Sequence, residues 1–264
     1  MALPADGHVH SLFSWDAPGG DMLRTCARAV ELGLPAVAFT EHVDLTPWTM
    51  PDGRVVLAAP FDVAGYREAI GEARERFPTL RVLSGVEFSE PHWHGDELRA
   101  LLAGGFDRVL GSVHARATDD DLFLAVGYEY PGLSVDDMVR GYLAEVARMA
   151  DTGTDFEVVT HLDYPLRYWP ASAGPREITA YEPEFRAALT AVRRSGRILE
   201  VNTRSTFHPE LLEWWRAVGG RAVTFGSDAH QPDTLARQFR AAADAASAHG
   251  FRPGRDPIGP WVRA

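Results

Sequence analysis

Two histidines, His8 and His10, stand two residues apart in Asp6-Gly7-His8-Val9-His10. An i, i+2 pair does not share a helix face, whereas on a strand every second side chain points the same way. The apolar Val9 between them suits a strand that is buried on its other face. Two imidazoles aimed at one point are either a coincidence or half of a metal site. The same spacing returns near the other end, where Asp228 and His230 follow the apolar run 222–227.

Further ligand-type residues fall where other apolar runs finish. His42 follows 35–40, Glu87 closes 80–87, His114 closes 108–114, His161 closes 156–161, and Asn202 and Arg204 end 197–202. Scattered core histidines would show no such bias; His249, expected in solvent, lies elsewhere. Imidazole and carboxylate without cysteine suit Zn, Mn or Fe(II) better than Mg or Ca. Glu87, central in the chain and able to use both oxygens, is the candidate bridge between two metals. Its alternative is a salt bridge to an arginine, because an unpaired carboxylate at the end of an apolar strand is costly. Asp16 is within reach of a third metal, or else a turn residue before Pro18-Gly19-Gly20.

The elements that must position these residues follow from periodicity. Helical patterns cover Met22–Leu32, ending at Gly33, then about 61–77, 134–150 with Ser134 as N-cap, about 184–194, 209–218 and about 233–248. Strand then helix, about seven times over, with near-continuous apolar strands, predicts a parallel sheet with helices outside. Ligands at C-terminal strand ends then lie on the face where barrels and α/β sheets place their sites. No linker or low-complexity tract divides residues 1–264, so one domain is expected.

Bulk properties narrow the partners. With 264 residues and 45% hydrophobic content, the chain can fill one barrel. Lys and Arg number 26 against 37 Asp and Glu, a net charge of −11. That leaves no general footprint for nucleic acid or a membrane surface, although a local basic patch can still serve a phosphate. The single cysteine, Cys26, sits on an apolar stripe, excludes an intramolecular disulfide and fits a reducing cytoplasm. No apolar run approaches about 18 residues, the length a membrane span needs. The first strand begins too early to leave room for a signal peptide. There is no GxxxxGK[ST] loop, no GxGxxG after a strand and no GxSxG elbow. A covalent route has no visible nucleophile, so metals must supply one.

Taken in order, His8-Val9-His10, Thr40-Glu41-His42, Gly85-Val86-Glu87, Gly111-Ser112-Val113-His114, Thr160-His161 and Gly226-Ser227-Asp228-Ala229-His230 resemble the motifs of the polymerase-and-histidinol-phosphatase (PHP) superfamily. The likeness spans about residues 6 to 231 and is greatest to the histidinol-phosphatase branch. It implies a distorted (β/α)7 TIM-like barrel with a trinuclear site at its C-terminal face. The first metal would take His8, His10, Glu87 and Asp228, the second Glu87, His114 and His161, and the third Asp16, His42 and His230. Some relatives carry histidine where this chain has Asp16, and an apolar residue is more usual where it has Arg116.

The activity so implied is hydrolysis of a small phosphate ester by a metal-bridged hydroxide, with two to three divalent ions (Zn, Mn or Fe) as cofactors. Arg204, helped by Arg116, is expected to bind phosphate. Asp228 would orient the nucleophile, and either His230 or a metal-bound water would protonate the leaving group. Loops carrying Trp48, Trp93, Tyr164 and Trp169 would shape a pocket, in which Glu41, Asp44, Glu90 or Asp163 attracts the ammonium of an amino-alcohol phosphate. His92 and His94 read as pocket lining or exposed, His208 as a helix-start residue, and Arg167 as a loop arginine of little weight. The alternatives are another phosphoesterase or nuclease on the same scaffold, or a metal-binding module without turnover. The oligomeric state is left open.

Overall fold

The apolar runs become strands buried from both sides; every residue of the second one, from Ala36 to Val43, is shielded from solvent. A computed structural model describes residues 3–118, 122–175 and 177–263. Its strands are β1 (Asp6–Val9), β2 (Ala36–Val43), β3 (Trp48–Thr49), β4 (Val55–Val56), β5 (Arg81–Ser89), β6 (Arg108–Ser112), β7 (Ala115–Ala117), β8 (Phe123–Ala125), β9 (Val158–Val159), β10 (Ile198–Asn202), β11 (Ala222–Gly226), β12 (Phe251–Arg252) and β13 (Trp261–Arg263). Its helices are α1 (Met22–Leu32), α2 (Val63–Arg76), α3 (Gly95–Leu102), α4 (Val135–Ala150), α5 (Tyr164–Arg167), α6 (Glu182–Ser195), α7 (Glu210–Ala217) and α8 (Phe239–Ala248). No helix among the described residues is long and apolar enough to cross a membrane.

Seven strands pair in parallel in the order β1-β2-β5-β6-β9-β10-β11. The chain after β11 returns to β1: Asp228 N donates to His8 O at 2.8 Å and His10 N to Ala229 O at 2.9 Å. The circle therefore closes at its C-terminal end. Lower down, β11 pairs antiparallel with β13 instead, and β13 with β12. That split seam gives a distorted (β/α)7 barrel, as the resemblance implied, with helices outside and the closed end carrying the candidate ligands.

The local signals at Ser134 and Gly33 act where they were expected. Asp21 and Ser134 accept from the N–H groups of Arg24 and Asp137 and so cap α1 and α4. Gly33 ends α1 in the left-handed conformation, φ 69°. Tyr66, fully buried on α2, donates to Phe39 O at 2.6 Å and accepts from Gly85 N at 2.7 Å, fixing α2 across β2 and β5.

Three features depart from the periodic reading. Helix α3 occupies the β5–β6 connection without any side-chain cap, so no N-cap signal marked it. The loops after β2 and β6 fold into a second sheet, β4-β3-β8-β7, of two- and three-residue strands too short for a periodicity to register. The last helix starts at Phe239 rather than near 233, because Pro232–Thr234 forms a single 3-10 turn and Ala236 and Gln238 take positive φ.

Candidate metal centre

All nine residues expected to hold metals meet at the closed end of the barrel. Glu87 stands at the middle and divides its oxygens between two groups of imidazoles. Its Oε1 lies 2.7 Å from His161 Nε2 and 3.4 Å from His114 Nε2. Its Oε2 lies 3.1 Å from His8 Nε2, 3.4 Å from His10 Nε2 and 3.1 Å from His42 Nδ1. Asp228 Oδ1 approaches His10 Nε2 at 3.4 Å and His8 Nε2 at 3.9 Å. Asp16 joins the other rings, 3.5 Å from His42 Nε2 and 3.0 Å from His230 Nε2. Asp228, which turns the chain back towards β1, does so at φ 51°, a left-handed conformation that a non-glycine residue holds only at some cost.

The donor atoms suit cations. Three triads, His8/His10/Glu87, His42/Glu87/His114 and His10/His42/His230, each bring their ligand atoms within 4.8 Å of one another. Asp16 Oδ1, His42 Nδ1 and His161 Nδ1 are buried without a hydrogen bond, a costly arrangement that coordination of Asp16 and His42 would relieve. Nitrogen and oxygen donors without sulfur match Zn, Mn or Fe(II).

Beyond the inward-facing atoms, a second layer fixes the rings. Glu200 Oε1 lies 2.7 Å from His8 Nδ1, and its Oε2 accepts from His161 N and Asn202 Nδ2, both at 2.9 Å. Ser14 Oγ is 3.0 Å from His10 Nδ1, while Asp44 and Ser89 hold His114 Nδ1 at 2.9 and 2.7 Å. Partners of this kind set the tautomer and leave the other nitrogen facing a metal. Sequence reasoning passed over Glu200 because it sits inside an apolar strand. The signal was available: Glu200 and Asn202 share the i, i+2 spacing that drew attention to His8 and His10.

Charge within the cluster is compensated internally when no cation is bound. Burial pulls His8 down, but Glu200, Glu87 and Asp228 outweigh it and hold the ring well above an ordinary imidazole. Burial likewise opposes His42, which Asp16, Glu87 and Asp44 still push up to about 9. His114 is raised against burial by Glu87 and Asp44. Glu87 is held well below the carboxylate range by His8, His42 and His114 despite its burial. His10 goes the other way: burial, then the neighbouring His42 and His230, lower it to about 4.

Two cavities flank the cluster and share Asp16. One, of about 380 Å³, is lined by Arg204, Asp228, His230 and Arg237 among others. The other, of about 400 Å³, lies between the small second sheet and the barrel mouth, against His42, His114, Trp48 and Tyr164. Arg204 Nη1 donates to Asp228 Oδ1 at 2.9 Å and to Asp228 O at 2.8 Å, and also meets His230. Arg167, given little weight in the sequence, is buried with Nη1 2.7 Å from Asp228 Oδ2. Its Nε and Nη2 are buried without a partner.

Several expected pocket residues lie elsewhere. Arg116 lines neither cavity; its guanidinium runs along α4, where a Cβ on Gly141 would stand 2.1 Å from its Nε. Trp93 packs on Phe123, ring centroids 5.0 Å apart, also outside both cavities. Trp169 donates to Gly174 O, away from the cluster. The carboxylates assigned to an ammonium are engaged too. Glu41 accepts from Ser11 and Ser14, Asp44 from Trp15 and Ser89, and Glu90 from the N–H groups of His114 and Ala115. Asp163 lines a separate, water-sized cleft beside Glu200. His92 pairs with Glu145 at 2.6 Å and His94 with Thr46 at 2.9 Å, so neither ligates here.

The model of the PHP domain family matches residues 6–204 of the chain. A histidinol-phosphatase of Lactococcus lactis is 25% identical over 236 residues, covering 85% of this chain and 83% of that protein. A protein of Thermotoga maritima, named a probable histidinol-phosphatase, is 26% identical over 239 residues, covering 88% and 86%. Among solved structures, the Lactococcus lactis histidinol phosphate phosphatase in complex with zinc, L-histidinol and phosphate superposes with a TM-score of 0.79 at 23% identity, covering 94% of both chains.

Proposed function

Because the chain belongs to the PHP domain family, we propose that it is a metal-dependent phosphomonoesterase acting on a small ester of the histidinol-phosphate type. The observation that carries this reading is the division of Glu87, one oxygen towards His114 and His161 and the other towards His8, His10 and His42. A carboxylate so placed suits a bridge between cations held by the two groups. The relatives named as histidinol-phosphatases support the substrate class.

Two or three divalent ions in these groups, when bound, supply an activated water as nucleophile and neutralise charge on the phosphoryl oxygens. The residues supply position. His8, His10, Glu87 and Asp228 would hold one ion, Glu87, His114 and His161 a second, and Asp16, His42 and His230 a third. Arg167 and Arg204 converge on Asp228 from two elements; Arg204, which lines the cavity with Asp228 and His230, is placed to take phosphate oxygens, while the enclosed Arg167 holds Asp228. Asp228, kept ionised by Arg167, His8 and Arg204 in spite of burial, orients the nucleophile by accepting its hydrogen bond. His230 is held by Asp16 on one nitrogen and by Asp228 and Arg204 on the other, which fixes its ring as a ligand and leaves protonation of the leaving oxygen to a water on the ion it would hold.

The test is phosphate release by the metal-loaded protein. Histidinol phosphate should be turned over with kcat/KM far above glycerol phosphate and nucleoside monophosphates. Arg204→Ala should keep its metals and lose about 10²-fold or more in kcat/KM, as when one preorganised donor to a developing charge is removed. Preference for nucleotides would reassign the substrate within the family, and metal binding with no ester hydrolysed would leave a binding module.

A further inference from the structure

The cavity between the small sheet and the barrel mouth has an aromatic floor and two aromatic walls. His42 and His114, ring centroids 5.2 Å apart, form the floor. Next to His42 stands Trp15, 6.3 Å from its ring, and Trp48 lies 5.4 Å from Trp15. Next to His114 stands Tyr164 at 5.2 Å, with Tyr168 5.4 Å beyond. Both walls are held. Trp15 Nε1 donates to Asp44 Oδ2 at 2.7 Å. The Tyr168 ring rests on the backbone of Gly127, where a Cβ would come within 2.5 Å of it and where φ is 101°, so glycine is required twice over.

The charges around this space matter as much as its rings. Among the described residues Asp16 is the one carboxylate lining it, and both Asp16 oxygens already face His42 and His230. Glu41, Asp44 and Glu90 are turned into backbone and hydroxyl hydrogen bonds, as described above. Apart from the cluster rings His42 and His114, the remaining charged side chain in the lining is Arg54, which is positive. An ammonium entering here would find π faces in place of a carboxylate free to pair with it.

We propose that this cavity holds the leaving group and selects it by a flat ring instead of an ammonium, so that the substrate is the phosphate monoester of a ring-bearing alcohol, with Trp48 and Tyr168 determining specificity. The proposal rests on the phosphatase reading and deepens it. A planar ring entering between two aromatic pairs gains buried area and offset or edge contacts. An ammonium over a half-exposed ring gains little, and Tyr168 is 47% exposed. A site that hydrogen-bonded the amine in a buried setting would reject an analogue lacking it by about 10⁴-fold. Without such a partner the loss stays within about tenfold.

Three esters decide the matter, presented to the full chain loaded with zinc: histidinol phosphate, its counterpart lacking the amino group, and an acyclic 2-amino alcohol phosphate of equal chain length. The ring ester without an amine should exceed the amine ester without a ring in kcat/KM; the reverse order overturns the proposal. Tyr168→Ala should lower the ratio of ring to acyclic turnover about tenfold, the loss of one ring contact and its buried area, and Tyr168→Phe should restore it. An unchanged ratio in Tyr168→Ala removes that residue from the specificity device. Should no ester release phosphate, the phosphatase reading fails, and calorimetric titration of the free alcohols judges the cavity separately. Tighter binding of the ring alcohol supports the proposal; tighter binding of the acyclic amino alcohol overturns it.

Discussion

The centre of the barrel mouth and the collar of backbone around it both bury carboxylates, but they treat the charge in opposite ways. At the centre, Glu87 and Asp228 face histidines and arginines and are held well below the ordinary carboxylate range despite burial. In the collar, burial dominates: Asp6 is pushed up to about 6 and Glu90 to about 7, and Glu41 is raised as well. Their partners there are N–H and O–H groups, which orient a carboxyl without cancelling its charge. The centre thus keeps anions available to cations, while the collar fixes the loops that carry the ligands. Glu41 holds Ser11 and Ser14, and Ser14 in turn holds His10 and the backbone of His42.

Neutralising the middle of the cluster should break this contrast most severely. Glu87→Gln keeps the size of the side chain but loses the charge that faces five imidazoles. We expect bound metal to fall to at most one ion per chain and phosphate release to drop by about 10³-fold or more, beyond the cost of one preorganised electrostatic contact. Metal analysis after dialysis and an activity assay check it. The collar variant Glu90→Gln should keep its metals, and equal metal loss in both would erase the distinction.

Acidity sharpens it next. In the metal-free chain His8, His42 and His114 are raised, His42 to about 9, so near neutral pH they hold protons that a cation must displace. Affinity for zinc should therefore fall on acidification from pH 9 to pH 6, by about tenfold per pH unit for each proton displaced. Chelator competition at four pH values measures the slope. The same linkage has a stability sign: raised histidines stabilise the metal-free fold at low pH, and that support is lost as pH rises through about 9 for His42. The gain in melting temperature on adding zinc should accordingly be larger at pH 9 than at pH 6. A flat affinity would mean the rings are already neutral.

Between centre and collar sits Glu200, which touches His8 Nδ1 yet has no place among the inward-facing donors. Glu200→Gln should weaken zinc binding about 10- to 100-fold, the usual effect of removing an outer partner of a ligating histidine. A loss as large as that of Glu87→Gln would make Glu200 a ligand in its own right.

The sequence made the centre legible because ligand types sat where apolar runs stopped: His42 after 35–40 and Glu87 after 80–86 needed no tertiary knowledge. The parallel sheet of about seven strands followed from the alternation of strand and helix patterns. The carboxylates around the centre were harder to read. Asp44 and Glu90 look like loop carboxylates free to greet a ligand, and only tertiary packing shows them turned back onto Ser89 and His114 N. Two arginines lie where their sequence positions did not suggest, for a similar reason. Arg116 stands two residues from His114 in sequence, but it emerges against α4, while Arg167 is carried by the four-residue helix α5 onto Asp228. Two- and three-residue strands such as β3 and β8 are positioned by pairing with each other, and nothing in so short a stretch declares it.

Asp6 offers the smallest effect and the most direct view of the collar. It is fully buried and accepts from Ser227 N at 2.9 Å, Ala236 N at 3.1 Å and His8 N at 3.4 Å, so it ties β1 to the loop bearing Asp228 and His230. Burial is the leading cause of its rise from 3.8 to about 6. The folded chain therefore binds this proton more tightly than the unfolded chain. The stability it confers is full below about pH 4 and is lost as pH rises through about 6. A rise of about two units corresponds to about 3 kcal/mol, or about 6–12 °C in a chain of this size. Asp6→Asn stays neutral across that range and forfeits one acceptor, a cost of about 1 kcal/mol at pH 4. Melting curves of the metal-free proteins at pH 4 and pH 7 should show the wild type ahead at the lower pH and the variant level or ahead at the higher. If the gap between them does not move with pH, Asp6 is already ionised in the fold, and the collar compensates charge just as the centre does.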